Sequence, residues 1–313
     1  MKTRAILAAF VLMLAATAAS AEPVLLRYKF STGDVLIYAL EATGAGKLMT
    51  SVFKSAGDQK PMETSEVPVN MKVKMSLETD VESVDKNNIA TVLTRVTAYK
   101  LTQDGQDVIN LKAGDEKKET AGNGIASPLK DLYKNPIRME LDQRGVIKKI
   151  SGLEKLSETL PQMDVANLFE QTQHQLPEKA VDVGDEWTQE MNLEMNAEKP
   201  GKQTKFRTRY KFIGYEEVKD LRCAKIRVDG DGDISDILKT LMGEVETSNV
   251  KFNNMEIGYN GDLYFAADEG VLVAFDFTIS QNVAAVMDVK LGNEMKHIDL
   301  NVDLTIDGFY ELE

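Results

Sequence analysis

Asp229-Gly230-Asp231-Gly232-Asp233 sets three carboxylates at alternate positions, the arrangement with which a calcium loop begins. Such a loop also needs glycine at its sixth position for the turn and glutamate at its twelfth as a bidentate ligand. Those positions hold Ile234 and Thr240. The residues before it, Ala224 to Val228, alternate like a strand, where an EF-hand has a helix. The segment is therefore expected to be a solvated strand end, followed by an acidic helix start at Ser235-Asp236 that suits the helix dipole. A weak Ca2+ site at Asp229–Asp233 is the other use for these oxygens.

Other stretches fail as chemistry in similar ways. Gly44-Ala45-Gly46-Lys47 imitates a phosphate loop, but Glu41 stands at the first glycine position and Leu48 where Ser or Thr would bind Mg2+. It is read as a flexible loop. His174 is expected on a polar helix end beside Glu170, and His297 at a strand start, and neither has the companions of a zinc site. The single cysteine, Cys223, reads as a small core residue. The sequence contains no G-x-S-x-G, H-E-x-x-H or C-x-x-C. No catalytic residue, metal or cofactor is assigned. Pairs such as Glu216-Glu217 are what an acidic chain shows by chance.

The first residues describe an address. Lys2 and Arg4 precede the apolar run Ala5 to Ala16, and small residues stand at Ala19 and Ala21. That is the pattern of a secretory signal peptide over 1–21, cleaved before Glu22, with an apolar run too short to span a bilayer. No cysteine at the cleavage point offers a lipid anchor. One cysteine and no Asn-x-Ser/Thr site favour a bacterial periplasmic or secreted protein. The formal charge of −13 becomes −15 once Lys2 and Arg4 leave, which opposes binding to nucleic acid or anionic lipid.

What must position any site is a set of long strands. Ile298, Leu300, Val302, Leu304 and Ile306 alternate with Asp299, Asn301, Asp303, Thr305 and Asp307. Met71 to Leu77, Phe206 to Phe212 and Val271 to Ile279 alternate likewise, so each strand has one dry and one wet face. Two Gly-Asp starts (Gly33-Asp34, Gly184-Asp185) and two similar turns (Asp142 to Val146, Asp268 to Val271) suggest a first β-rich half over 22–152 and a second over 179–313. Leu153 to Leu160, and Val165 to Gln173 capped by Asp164, are expected as helices in a connector over 153–178. Ser127-Pro128 starts another. Lys54–Thr64 and Gln103–Gly124 read as loops. The expected fold is mainly β with a few helices, an α+β arrangement. Its long curved antiparallel sheets form two similar halves, with helices packed on the apolar face.

Tyr28 to Leu40 (YKFSTGDVLIYAL) and Leu176 to Trp187 (LPEKAVDVGDEW) resemble the paired signatures of the DUF6263 family of exported bacterial proteins. Pro136 to Leu156 resembles its middle portion. The resemblance implies an exported β-rich protein and carries over no catalytic residue. By analogy of fold alone, amphipathic strands crossed by helices are similar to the lipoprotein-carrier type of half-barrel. Twelve methionines remain after the signal, several on dry-face positions, and methionine adapts to varied apolar shapes. The expected function is non-catalytic binding of a hydrophobic ligand such as lipid in a sheet-and-helix cavity. The candidate lining residues are Met71, Met75, Phe206, Tyr210, Phe275 and Phe277, beneath the Leu153 to Phe169 helices. Two alternatives stand beside it: an envelope scaffold with a dry core and a protein partner, and a carboxylate-dependent hydrolase.

Overall fold

Period-two alternation continues through nearly every long segment, and a chain of such segments joined by short turns folds as an antiparallel meander. The computed structural model describes residues 22–112, 133, 135–159, 164–193, 204–233, 251–291 and 294–313. The signal segment, the Ser127-Pro128 helix start and the Ser235-Asp236 helix start lie outside the described residues. The strands of the first part are β1 (Val35–Phe53), β2 (Glu63–Val84), β3 (Ala90–Gln103), β4 (Gln106–Lys112), β5 (Ile137–Leu141) and β6 (Ile147–Ser151). Two short helices follow, α1 (Glu154–Thr159) and α2 (Val165–Thr172). The rest is β7 (Glu186–Leu193), β8 (Thr204–Val218), β9 (Leu221–Asp233), β10 (Lys251–Ala266), β11 (Val271–Leu291) and β12 (Glu294–Leu312).

All of these strands belong to one 12-stranded sheet, in the order β6-β5-β3-β2-β1-β12-β11-β10-β9-β8-β7, with β4 beside β3. The expectation of an α+β fold with helices packed across the apolar face is overturned. The two helices are six and eight residues long, and bury Leu153, Leu156 and Val165 against Ile137, Met139 and Ile150 at one end of the sheet. Pro161 lies between them and Pro177 follows, so the apolar spacing there never extends far enough to build a helical layer. The Gln103–Gly124 loop is also shorter than expected, because Gln106–Lys112 pairs with β3.

The sheet curls until its ends approach. α2 contacts both end strands, β6 and β7. The segment before β1 crosses the same end of the structure: Tyr28 N–H donates to Gln143 O, Lys29 N–H to Gly270 O, and Val24 pairs with Val181. Arg144 reinforces the closure, donating to Leu176 O and pairing with Glu178 at 3.0 Å. Leu26, wholly buried, packs with Leu176, Val181 and Phe212 in the main core. One turn is built twice. Asp34 Oδ2 accepts from Ser31 N–H and Gly33 N–H reaches Val81 O, while Asp185 Oδ2 accepts from Asp182 N–H and Gly184 N–H reaches Phe212 O. Gly33 and Gly184 have φ of +95° and +100°, which only glycine adopts readily.

Gly44-Ala45-Gly46-Lys47 is not a loop. It lies within the 19-residue strand β1, and a Cβ on Gly46 would strike the backbone of Asp303 and Leu304 in β12. The glycines let two long strands lie close. Gly46→Ala is expected to cost about 2 kcal/mol, as an overpacked site does. Gly258→Ala, where a Cβ meets nothing closer than 3.8 Å, should stay within about 0.5 kcal/mol of wild type. Urea denaturation of both variants checks this, and equal effects would contradict the β1–β12 contact.

Candidate functional site

Strand register determines which side chains share a face. The row through Ala42 continues as Val73 on one side and as Gly308, Phe277, Gly261, Val228, Tyr210 and Trp187 on the other. Parallel rows run through Leu40 (Met75, Tyr310, Phe275, Leu263), Gly44 (Met71, Ile306, Ile279, Tyr259) and Gly46 (Val69, Leu304, Gln281, Ile257). Among the described residues these four rows bear no carboxylate, ammonium or guanidinium. This is the inner face, because Leu26 and Leu176 pack against it. Charges occupy the outer face and pair across strands: Glu41 with Lys72 and Lys74, Arg95 with Glu78 and Asp80, Arg227 with Asp262.

The Asp-Gly alternation now has a cause. Asp231 meets Arg209 on the outer face at 3.0 Å, while Gly230 and Gly232 lie inside under the rings of Tyr259 and Phe206. Gly308 and Gly261 lie similarly beneath Phe277 and Phe275. Aromatic rings folded over glycines of the next strand cover backbone that would otherwise be bare, and let the sheet bend tightly. The described residues contain no group of three or more metal-ligating side chains.

All six candidate residues fall on the inner face, though not where expected. The helices cover Ile137, Met139 and Ile150, so none of the six lies beneath them. Phe206 and Tyr210 are buried, whereas Met71, Met75, Phe275 and Phe277 keep some accessible surface. The same holds for Tyr28, Tyr259, Tyr310 and His174. Desolvation nevertheless pushes the Tyr28 and Tyr259 phenols up to about 12, raises Tyr310 well above its ordinary value and lowers His174 to about 4. Desolvation on the inner face favours the neutral form of each of these groups.

His174 is the residue that sequence reasoning misplaced. α2 ends at Thr172, and His174 follows in extended chain that carries its ring onto the inner face of the sheet, 4.7 Å from the Phe275 ring between centroids. The signal was Leu176-Pro177, since the residue before a proline is driven to extended backbone. A polar network surrounds it. Tyr210 hydroxyl donates to Gln189 Oε1 at 2.9 Å, and Gln189 Nε2 donates to Gln173 O. The only proton of that phenol is thus committed, so its contact with His174 Nδ1 at 3.1 Å requires Nδ1 to carry hydrogen. Nε2 is left as a bare acceptor. Trp187, stacked on Tyr210, donates to Gln175 O and holds the segment down. Among the described residues no carboxylate bonds to His174. His297, within β12, instead lies between Asp288 (2.8 Å) and Asp299 (3.2 Å).

No family model matches the chain, and no curated protein matches it. Among solved structures it is similar to the outer membrane protein OprG from Pseudomonas aeruginosa, at 9% identity and TM-score 0.24, covering 90% of this chain and 96% of that one. It is also similar to DynF from the dynemicin biosynthesis pathway of Micromonospora chersina, at 9% identity and TM-score 0.17, covering 93% and 86%. Likenesses this low carry no function across. No described helix is long and apolar enough to cross a membrane.

His174, lowered from 6.5 in the unfolded chain to about 4, binds fewer protons when folded. Its contribution is complete above pH 6.5 and is lost as pH falls toward 4, a loss of roughly 3 kcal/mol. The histidine NMR titration of this two-histidine protein should show one ring still neutral at pH 5. His174→Phe should lack that part of the pH dependence in urea denaturation. A His174 titrating near 6.5 would contradict its desolvation on the inner face.

Proposed function

We propose that this is a non-catalytic binding protein of the bacterial envelope, exported by its first 21 residues, that holds an apolar ligand such as a lipid or acyl chain in the hollow of its sheet. The observation that supports the reading is the uncharged inner face, on which Met71, Met75, Phe275 and Phe277 keep accessible surface. Apolar rows supply the driving force, worth about 25 cal/mol per Å2 buried. The ion-paired outer face supports an aqueous setting, since a lipid-spanning barrel presents apolar residues outward and polar ones inward. The two-halves reading and the resemblance to the DUF6263 family belong to the same proposal. The twice-built Gly-Asp turn supports both, since each signature contains one copy.

The test is binding of the neutral fluorescent probe N-phenyl-1-naphthylamine to the mature protein. Wild type is expected to bind at micromolar concentration. Phe277→Asp should weaken binding at least about tenfold, because it buries an unpaired charge in the hollow. Thr43→Asp, on the exposed outer face of β1, should leave it unchanged. Circular dichroism confirms the fold of each variant, and Met71→Trp, which fills the hollow without charge, replaces Phe277→Asp if that variant unfolds. A wild type that binds no probe sinks the reading.

A further inference from the structure

The outer face pairs its charges across strands, but at one place it carries an apolar strip. Val35, Ile37 and Ala39 follow one another along the outer side of β1, since they alternate in step with Glu41. Phe309, opposite Glu41 on β12, stands diagonally from Ala39, a separation that an aromatic ring can bridge. Val35 is 55% exposed, and Ile37 and Phe309 are 38% exposed. Carboxylates flank the strip on both sides. Asp80 and Glu78 lie opposite Val35 and Ile37 on β2. Glu311 and Glu313 lie along the other side, where Glu313 N–H donates to Ile37 O. Beyond Phe309 the surface sinks into a cavity of about 310 Å3. Asn260, Asp262, Asp276, Thr278 and Asp307 line it, with Gly261 and Gly308, which have no side chain, between them. Phe309 stands at its edge, as the cross-strand partner of Asp276. Here the pairing of opposite charges breaks. Asp262 and Asp276 are directly opposite across β10 and β11, and like charges so placed destabilise a sheet.

Independently of the ligand reading above, we propose that this strip and cavity dock a basic segment of a partner protein, in which lysine or arginine stands beside apolar side chains. The apolar side chains of the segment cover Phe309 and Ile37, and burial of that surface supplies the attraction. One of its cations enters the cavity beside Asp276 and Asp307, where it relieves the like-charge pair and gains from the Phe309 ring. The flanking carboxylates select the sign of the partner. The same charge disfavours other occupants. A second copy of this chain would bring two acidic rims together, and an anionic lipid surface would be repelled.

The experiment is fluorescence anisotropy of short labelled peptides with the mature protein, at low and at high salt. One peptide alternates lysine with leucine, a second glutamate with leucine, and a third lysine with serine. The first is expected to bind at least about tenfold more tightly than either of the others. Phe309→Thr, or Ile37→Thr if that variant fails to fold, should weaken its binding about three- to tenfold. Asp276→Asn should weaken it similarly and flatten its salt dependence. Glu190→Gln, the same loss of charge on exposed β7, should change nothing. N-phenyl-1-naphthylamine binding should be untouched in every variant, so this inference and the ligand reading fail separately. No binding of the lysine–leucine peptide would overturn the inference. Equal binding of the lysine–serine peptide would do so too, since it shows only attraction to an acidic protein. So would Glu190→Gln weakening binding as much as Asp276→Asn, or Phe309→Thr and Ile37→Thr both leaving it intact. Self-association or binding to phosphatidylglycerol vesicles that Phe309→Thr abolishes would assign the surface to another occupant and overturn it as well.

Discussion

The molecule depends on the pairing of its first long strand with its last. β1 and β12 run antiparallel in unbroken register from Tyr38 opposite Leu312 to Phe53 opposite His297. Without that ladder the chain would be two shorter meanders, each with a long bare edge open to pairing with other chains. With it, one apolar face continues across the sheet. Gly44 and Gly46 in β1 make the approach feasible, because at Gly46 the backbone of β12 occupies the place of a side chain.

Curvature follows from the same use of glycine. On the inner face, rings of Phe206, Tyr259, Phe275 and Phe277 lie over glycines of adjoining strands, shortening that face relative to the outer one. The outer face stays wet and charged, with Lys and Arg opposite Asp and Glu across strands. Exposed pairs of this kind contribute little stability individually. Their role is to fix polarity: a one-residue slip would turn every charge inward. The curl brings the β5–β6 and β10–β11 turns within reach of residues 22–33, which cap that end with Leu26, Tyr28 and Phe30.

The inner face is lined by aromatic rings, and a neutral histidine, His174, packs edge-on to one of them. A catalytic imidazole is usually tuned to titrate near working pH and oriented by a carboxylate. Here desolvation forces it neutral, and Tyr210 fixes which nitrogen carries the proton.

The alternation in β12, β11, β2 and β8 was legible residue by residue, as were the Gly-Asp turns, because period two and left-handed turn positions are local properties of the chain. That locality also puts Met71, Met75, Phe206, Tyr210, Phe275 and Phe277 on one face of the sheet. The helices are shorter than the leucine spacing predicts, because Pro161 and Pro177 keep each of them under nine residues. Gly44-Ala45-Gly46 and Asp229 to Asp233 looked like loop and ligand chemistry because a glycine's reason for being there is the backbone or ring opposite it, more than twenty residues away in sequence. The destination of His174 was likewise a matter of tertiary structure: only the curl of the sheet brings β8, β10 and β11 around one ring. Local sequence determined which face of each strand is dry, and the long-range pairing of β1 with β12 decided that those faces would join into one continuous surface.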